Sequence, residues 1–361
     1  MEKYRVGIVG ATGMVGQRFI SLLKDHPWFE VNCVAASARS AGKTYREAVG
    51  ERWAVSWEIP EKAAGMTVVD AADIDEVRKH VDIDFSAVDM KKDEIRSLEE
   101  AYAKHEIPVV SNNSACRGIE DVPMVVPEIN ADHLAVIEAQ KKRLGTKNGF
   151  IAVKPNCSIQ SYVPALTPLL DFEPEKVSVC TYQAISGAGK TFKTWPEMVD
   201  NVIPYIGGED EKSENEPLKL WGHVEDGKIV NATLPVISAQ CLRVACSDGH
   251  MAAVSVSFKK KPTIEQIKER WANYETEAQR LELPSAPKPF LQYFDDPSRP
   301  QTRLDRDFQN GFGVSIGRLR EDKLFDYRFV CLSHNTVRGA AGGGILTAEL
   351  LCRKGYIPHR V

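Results

Sequence analysis

A short β-rich run, YRVGIV at residues 4–9, passes directly into Gly10-Ala-Thr-Gly13-Met-Val-Gly16 and then into a helical pattern carried by Phe19, Ile20, Leu22 and Leu23. Few folds accept glycines at that spacing in that place. Glycine permits a tight turn and a close approach of backbone to an anion, and the free N–H groups of a helix N-terminus favour phosphate. A GxxGxxG triplet alone is weak; between a strand and a helix it reads as a pyrophosphate-binding turn. The following segments keep the alternation. EVNCVAA (30–36), IDFSAVD (83–89) and IPVVSN (107–112) read as parallel strands, with the charge-rich, helix-like DIDEVRKHV and KKDEIRSLEEAYAKH between them. The first part of the chain is therefore expected to be α/β, a Rossmann-type dinucleotide-binding domain.

The character changes after residue 150. FIAVKPNCS reads as a buried strand ending in a turn, followed by a helix from Ile159 to about Leu170. KVSVCTYQAIS, KIVNATLPVIS, HMAAVSVSF and GVSIGRL read as strands, interrupted by few helices, notably TIEQIKERWANYETEAQRL. This part suits an α+β catalytic and dimerisation domain with a largely antiparallel sheet. The last segment, TVRGAAGGGILTAELLCRKG, is a glycine-rich turn into a helix expected to return to the first domain. The expected division is 1–153 plus 336–361 for cofactor binding and 154–335 for catalysis and oligomerisation, in keeping with about 150 residues per domain.

A net charge of -4 and the lack of a long basic stretch give no reason to expect nucleic acid. The Lys259-Lys260-Lys261 run reads as the solvated end of a strand. The opening MEKYRVGIVG has no secretory pattern, and no apolar run approaches the length of a membrane span. Cys33, Cys116, Cys157, Cys180, Cys241, Cys246, Cys331 and Cys352 are scattered and form no CxxC pair, which argues against a disulfide framework or a bound metal. A cytoplasmic enzyme with reduced thiols is expected.

Cofactor choice is read at the end of the second strand. An NAD enzyme usually places a carboxylate there for the ribose hydroxyls. This chain has Ser37-Ala-Arg39-Ser40-Ala-Gly-Lys43, hydroxyls and cations that suit a 2′-phosphate, so NADP(H) is expected.

Cys157 stands in Pro155-Asn156-Cys157-Ser158, where an apolar strand turns into a helix. A thiol so placed is expected to have its pKa lowered by the helix dipole, and the same N–H groups suit an oxyanion. Gln183 ends a strand just before the glycine-rich Ile185-Ser186-Gly187-Ala188-Gly189-Lys190. Glu216 and Lys219 are three residues apart, on one face if helical. Arg243 and His250 flank the Ser247-Asp248-Gly249 turn. Singly, such histidines and Glu/Lys pairs are usually structural or solvated.

Together they resemble the aspartate-semialdehyde dehydrogenase family, particularly its archaeal and fungal branch. The resemblance runs from GIVGATGMVG through SNNSACRG, KPNCS, TYQAISGAG, ENEPLK and RVACSDGH to NTVRGAAGG. It implies that Cys157 attacks L-aspartyl-4-phosphate to give a thioester, that NADPH reduces this to the semialdehyde, and that the product feeds lysine, methionine, threonine and isoleucine synthesis. It further implies His250 as acid/base, Gln183 orienting the substrate beside the nucleophile, Asn156 among the substrate-binding residues, Arg243 on the α-carboxylate, Glu216 on the α-ammonium, and Arg117 and Lys219 on phosphate. Around the cofactor it implies Gly10, Thr12, Gly13, Met14, Val15, Gly16, Ser37, Arg39, Ser40, Ser86, Ser186, Gly187, Gly189 and Asn335, the last on the nicotinamide amide. A homodimer or homotetramer is implied, with no nucleic acid or membrane partner.

Two other readings stand beside it. Malonyl-CoA reductases resemble the same branch and run cysteine and hydride chemistry on a CoA thioester; joint possession of Glu216 and Arg243 favours an amino-acid substrate. A non-catalytic NADP-binding sensor would have no need of Cys157, Gln183, Arg243 and His250 as a set.

Overall fold

The computed structural model describes residues 2–55 and 57–358, so the last three positions of the expected cofactor domain lie outside the described residues. Six strands, β1 (Tyr4–Val9), β2 (Phe29–Ala36), β3 (Val69–Asp70), β4 (Ile83–Ser86), β5 (Val109–Ser111) and β6 (Ile151–Val153), form one parallel sheet in the order β3-β2-β1-β4-β5-β6. The strand order reverses between β1 and β4, and a crevice at the carboxyl ends of such strands is where this architecture binds dinucleotides.

The helix Met14–Leu22 forms because its glycine turn ends at Gly13, the N-cap, and Phe19 and Ile20 then face the sheet. Phe19 stacks on Phe85 of β4 with centroids 4.4 Å apart. Full burial of such a ring is worth about 1.5–3 kcal/mol. The closing helix Gly342–Arg353 lays Ile345, Leu346 and Leu350 into the same core as Val6, Ile8 and Phe19. Ala278 and Leu283, inside the segment assigned by sequence to the catalytic part, also pack into that core, so the chain visits the cofactor side once more than expected.

The second sheet has seven strands. These are β7 (Pro174–Gln183), β8 (Val202–Ile203), β11 (Val236–Val244), β12 (His250–Phe258), β13 (Leu291–Phe294), β14 (Val314–Glu321) and β15 (Tyr327–Ser333), in the order β13-β14-β15-β12-β7-β11-β8; β9 (His223–Glu225) and β10 (Lys228–Val230) form a separate hairpin. The sheet is mixed. It is antiparallel at β14–β15, β15–β12, β12–β7 and β11–β8, and parallel at β13–β14 and β7–β11.

Three elements differ from expectation. KIVNATLPVIS is two strands, β10 and the start of β11, because Pro235 has no N–H to continue a ladder. TIEQIKERWANYETEAQRL is two helices, Ile264–Ala272 and Glu277–Arg280, each opened by a threonine capping box at Thr263 and Thr276. The helix after Cys157 ends at Leu166, two residues past Pro164, and continues to Phe172 as a 3-10 turn.

Candidate active site

Gly10, Thr12 and Gly13 line a cleft of about 680 Å³ together with Ser37, Arg39, Ser40, Lys43 and Arg52. Gly10 has φ +88, and a Cβ there would lie 2.4 Å from the Ala87 carbonyl; a Cβ on Gly16 would lie 2.4 Å from the Gly10 carbonyl. Only glycine closes this cradle. Gln17 braces it, donating from Nε2 to the Thr12 and Arg52 carbonyls, both at 3.0 Å. The cradle, the helix start and the Arg39, Lys43 and Arg52 cations fit a phosphorylated dinucleotide. Sequence reasoning did not single out Arg52. Met14 and Val15 lie in the first helical turn and Gly16 behind the cradle. Ser86 is buried, its Oγ accepting from Asn113 Nδ2 at 3.0 Å.

The presumed chemical residues meet at one end of the mixed sheet. Arg243 on β11 is the direct parallel partner of Gln183 on β7. His250 opens β12, next to β7, and faces Ser333, the last residue of β15. The Ile185–Ala188 turn folds over them, so that a Cβ on Gly187 would lie 2.9 Å from both Arg243 Nη1 and His250 Nε2. Asn335 secures that turn. Its Nδ2 donates to Ser186 Oγ at 2.8 Å and its Oδ1 accepts from Gly249 N–H at 2.7 Å. Both ends of its amide are thus engaged within the protein, and its expected contact with nicotinamide requires one of them to exchange.

Cys157 lies just before Ser158, the N-cap of the helix Ile159–Leu166. Asn156 shapes this turn, its Oδ1 accepting from Ser158 N–H and Oγ, both at 2.7 Å. Gly339, in the turn before the closing helix, covers the cysteine; a Cβ there would lie 3.0 Å from Cys157 Cβ. The expected lowering of the thiol pKa is not what the structure gives. Burial and the nearby Glu209 carboxylate push it up, and Lys154, Arg117 and Arg243 pull it down by less. Desolvation outweighs the helix terminus here.

His250 Nδ1 accepts from Ala184 N–H at 3.1 Å, which places the proton of the neutral ring on Nε2. Nε2 is buried with no hydrogen-bond partner among the described residues. Burial, with Arg243 beside it, lowers this histidine to about 3, so the ring is neutral near pH 7. Arg18, on the glycine-cradle helix, lies within electrostatic reach of Asp248, in the turn leading to His250. The two halves of the site therefore share one junction.

Two residues are placed differently from expectation. Lys219 donates to the carbonyls of Arg117 (2.7 Å), Ile119 (2.7 Å) and Val122 (3.0 Å), so its three N–H donors are occupied. It positions the loop carrying Arg117 rather than presenting a free cation to phosphate, and burial lowers it to about 8. Glu216 accepts from Arg117 Nη1 at 2.9 Å and from Asn156 N–H at 2.6 Å, so it is already neutralised. Sequence reasoning also missed two buried charges. Lys154 donates to the Pro155 carbonyl and is lowered to about 7 by burial and by Arg117. Glu209 accepts from Asn156 Nδ2 at 3.0 Å and from Gln183 Nε2 at 3.1 Å.

Residues 5–137 match the family model for the semialdehyde dehydrogenase NAD binding domain, and residues 166–338 that for the semialdehyde dehydrogenase dimerisation domain. The chain is 43% identical over 355 residues to an aspartate-semialdehyde dehydrogenase of Archaeoglobus fulgidus, covering 98% of this chain and 100% of that one. The chain belongs to the aspartate-semialdehyde dehydrogenase family. A Schizosaccharomyces pombe member is 45% identical over 359 residues, covering 98% of this chain and 99% of its own. The crystal structure of the Candida albicans aspartate-semialdehyde dehydrogenase with NADP superposes at a TM-score of 0.89 and 39% identity, covering 99% of this chain and 100% of that one. Vibrio cholerae aspartate-semialdehyde dehydrogenase II, 24% identical with a TM-score of 0.75, shares the fold.

Proposed function

We propose that this chain catalyses the reversible, NADPH-dependent reductive dephosphorylation of L-aspartyl-4-phosphate to L-aspartate 4-semialdehyde through a thioacyl intermediate on Cys157. The observation that carries the reading is the meeting of Gln183, Arg243 and His250 at one sheet end, with Cys157 and the glycine cradle joined to it. In acylation a C–S bond forms, the C–O bond to phosphate breaks, and the thiol proton leaves. NADP(H), when bound, exchanges a hydride with the thioester carbonyl carbon. A proton returns to sulfur when the semialdehyde departs. With Nδ1 held by the Ala184 N–H, His250 handles these protons through Nε2.

Arg243 holds the substrate α-carboxylate, which a planar guanidinium fits bidentately. Gln183 orients the reacting carbonyl, and Asn156 shapes the turn that presents the thiol. Arg117 meets the phosphate, positioned by Lys219 and Glu216. Arg39, with Ser37, Ser40 and Lys43, recognises the 2′-phosphate of NADP.

The dimerisation-domain match supports an oligomer. The β8 edge of the sheet carries exposed Val202, flanked by exposed Val199 and Tyr205, apolar side chains suited to a second copy. We place the homodimer, or homotetramer, contact there; light scattering of the purified protein reads its size. No helix among the described residues is long and apolar enough to cross a membrane.

The test is NADPH formation from aspartate semialdehyde with and without inorganic phosphate, set against NADPH consumption with malonyl-CoA. Phosphate-dependent turnover supports the reading. Reduction of malonyl-CoA alone replaces it, and binding without turnover reduces the protein to a sensor.

A further inference from the structure

The strand that leads to the nucleophile is bolted to a neighbouring loop. Val125 N–H donates to the Val153 carbonyl and Val153 N–H to the Pro123 carbonyl, both at 2.9 Å, so the 123–130 segment is tied to the end of β6. Asn130 stiffens that segment, its Oδ1 accepting from Val126 N–H at 2.9 Å and its Nδ2 donating to the Met124 carbonyl at 2.8 Å. Glu128 stands on it. From the other side, the Val337–Ala341 turn brings Gly339 against Cys157. Arg338, in the same turn, donates to Glu128 from Nη1 at 2.8 Å and from Nη2 at 3.1 Å, and from Nη1 to the Phe312 carbonyl at 2.8 Å. The two side chains are 3% and 0% exposed, and the guanidinium lies 4.4 Å from the centre of the Phe290 ring. The 123–130 segment, β6, Cys157 and the turn thus form a closed ring of contacts, and the ion pair is its last link.

We propose that Glu128 and Arg338 are positioning residues for the reaction, pinning the 335–341 segment so that Cys157 and His250 keep the separation that proton transfer needs. This rests on the reading under Proposed function. The segment touches both chemical groups. Asn335 Oδ1 accepts from Gly249 N–H, next to His250, at 2.7 Å, and Gly339 packs on Cys157. Arg338 lies between those two contacts, so the point where it is held sets both.

Stability alone does not call for an ion pair here. Taking two charges out of water is costly, and apolar residues of similar volume in such a place are often as stable or more so. Arg338 Nε also has no acceptor among the described residues, a further cost. What an apolar pair lacks is direction. A guanidinium fork meets a carboxylate in one plane and one alignment, whereas alkyl groups slide past each other.

The experiment replaces the pair by apolar residues, Glu128→Leu together with Arg338→Met, and follows melting, NADP+ binding, and turnover of aspartate semialdehyde with phosphate and NADP+. The double variant is expected to melt near wild type and to bind NADP+ as tightly, yet to lose kcat by about 100-fold with little change in KM. Its Cys157 is also expected to react faster with iodoacetamide, because Gly339 no longer covers it. A double variant of wild-type stability that keeps wild-type kcat, or whose Cys157 reacts no faster, overturns the proposal; so does a loss carried by KM with kcat intact. If the double variant does not fold, Arg338→Lys decides, since it keeps the charge and loses the fork: a lowered kcat at unchanged KM supports the proposal, and an unchanged kcat overturns it. Wild type inactive with aspartate semialdehyde and phosphate sinks the parent reading instead, while the alkylation rates still report whether the pair holds the turn over Cys157.

Discussion

Arg243 and Gln183 face each other across the parallel join of β11 and β7, and the Ala184 carbonyl next to Gln183 accepts from Arg243 Nη1 at 2.6 Å. Strand register thus sets the distance between a substrate-binding cation and a polar amide. Because side chains alternate faces along a strand, a slip of one residue would send one of the two to the opposite side. The turn after β7 then lays Gly187 against the same arginine and against His250.

Gly187→Ala is expected to retain the fold and lose activity. The new methyl would lie 2.9 Å from both Arg243 Nη1 and His250 Nε2, displacing one or both. Misplacement of about 1 Å costs about 100-fold in rate. Steady-state kinetics beside a melting curve checks this; full activity would place the 185–189 turn elsewhere during turnover.

Alkylation of Cys157 by iodoacetamide reads its ionisation. With the thiol pKa raised by burial and Glu209, the rate is expected to climb with pH and to reach half-maximum above the free-cysteine value of about 8.5. Arg117→Met removes a guanidinium that favours the thiolate, so the midpoint should move higher still. A midpoint below that of free cysteine would show that the cations win.

His250 supplies a stability signature. Its folded pKa of about 3 lies below the unfolded value of 6.5, so below pH 6.5 the unfolded chain binds the extra proton. Its contribution is full above that pH and is lost as pH falls towards 3. His250→Gln should flatten the acid side of the stability curve by up to about 1.4 kcal/mol per pH unit. Denaturation of both proteins between about pH 4 and 6 measures the difference; parallel curves would mean the imidazole is not buried as described.

Arg39→Ala is expected to raise KM for NADP about 10-fold or more and to change KM for NAD little, since a charge-assisted contact to the 2′-phosphate is lost. Equal effects on both cofactors would move the phosphate site to Lys43 or Arg52.

Much of this was legible before any coordinates. The glycine cradle and the first parallel sheet follow from strand–turn–helix order, because local propensity and phosphate geometry agree there. The site was legible as a set of residue types at fixed spacings, but not as hydrogen bonds. Lys219 reads as a phosphate cation, and only tertiary structure brings the 117–122 carbonyls to its three donors. Glu209 stands first among the acids Glu209, Asp210 and Glu211 of one helical turn; nothing local separates it from its solvated neighbours until Asn156 and Gln183 are folded against it. Lys154 gives a weak signal, a cation ending an apolar strand. The thiol pKa was misread because a helix terminus is visible in sequence, whereas depth of burial is not.

The central claim is that Cys157 carries the acyl group. Incubated with aspartate semialdehyde and NADP+ but no phosphate, the enzyme can oxidise the thiohemiacetal to a thioester and has no phosphate to release it. Peptide mass spectrometry of the acid-quenched protein should find the aspartyl group on Cys157 alone, and none in Cys157→Ala. An acyl group on another residue, or phosphate-dependent turnover persisting in Cys157→Ala, would contradict the account.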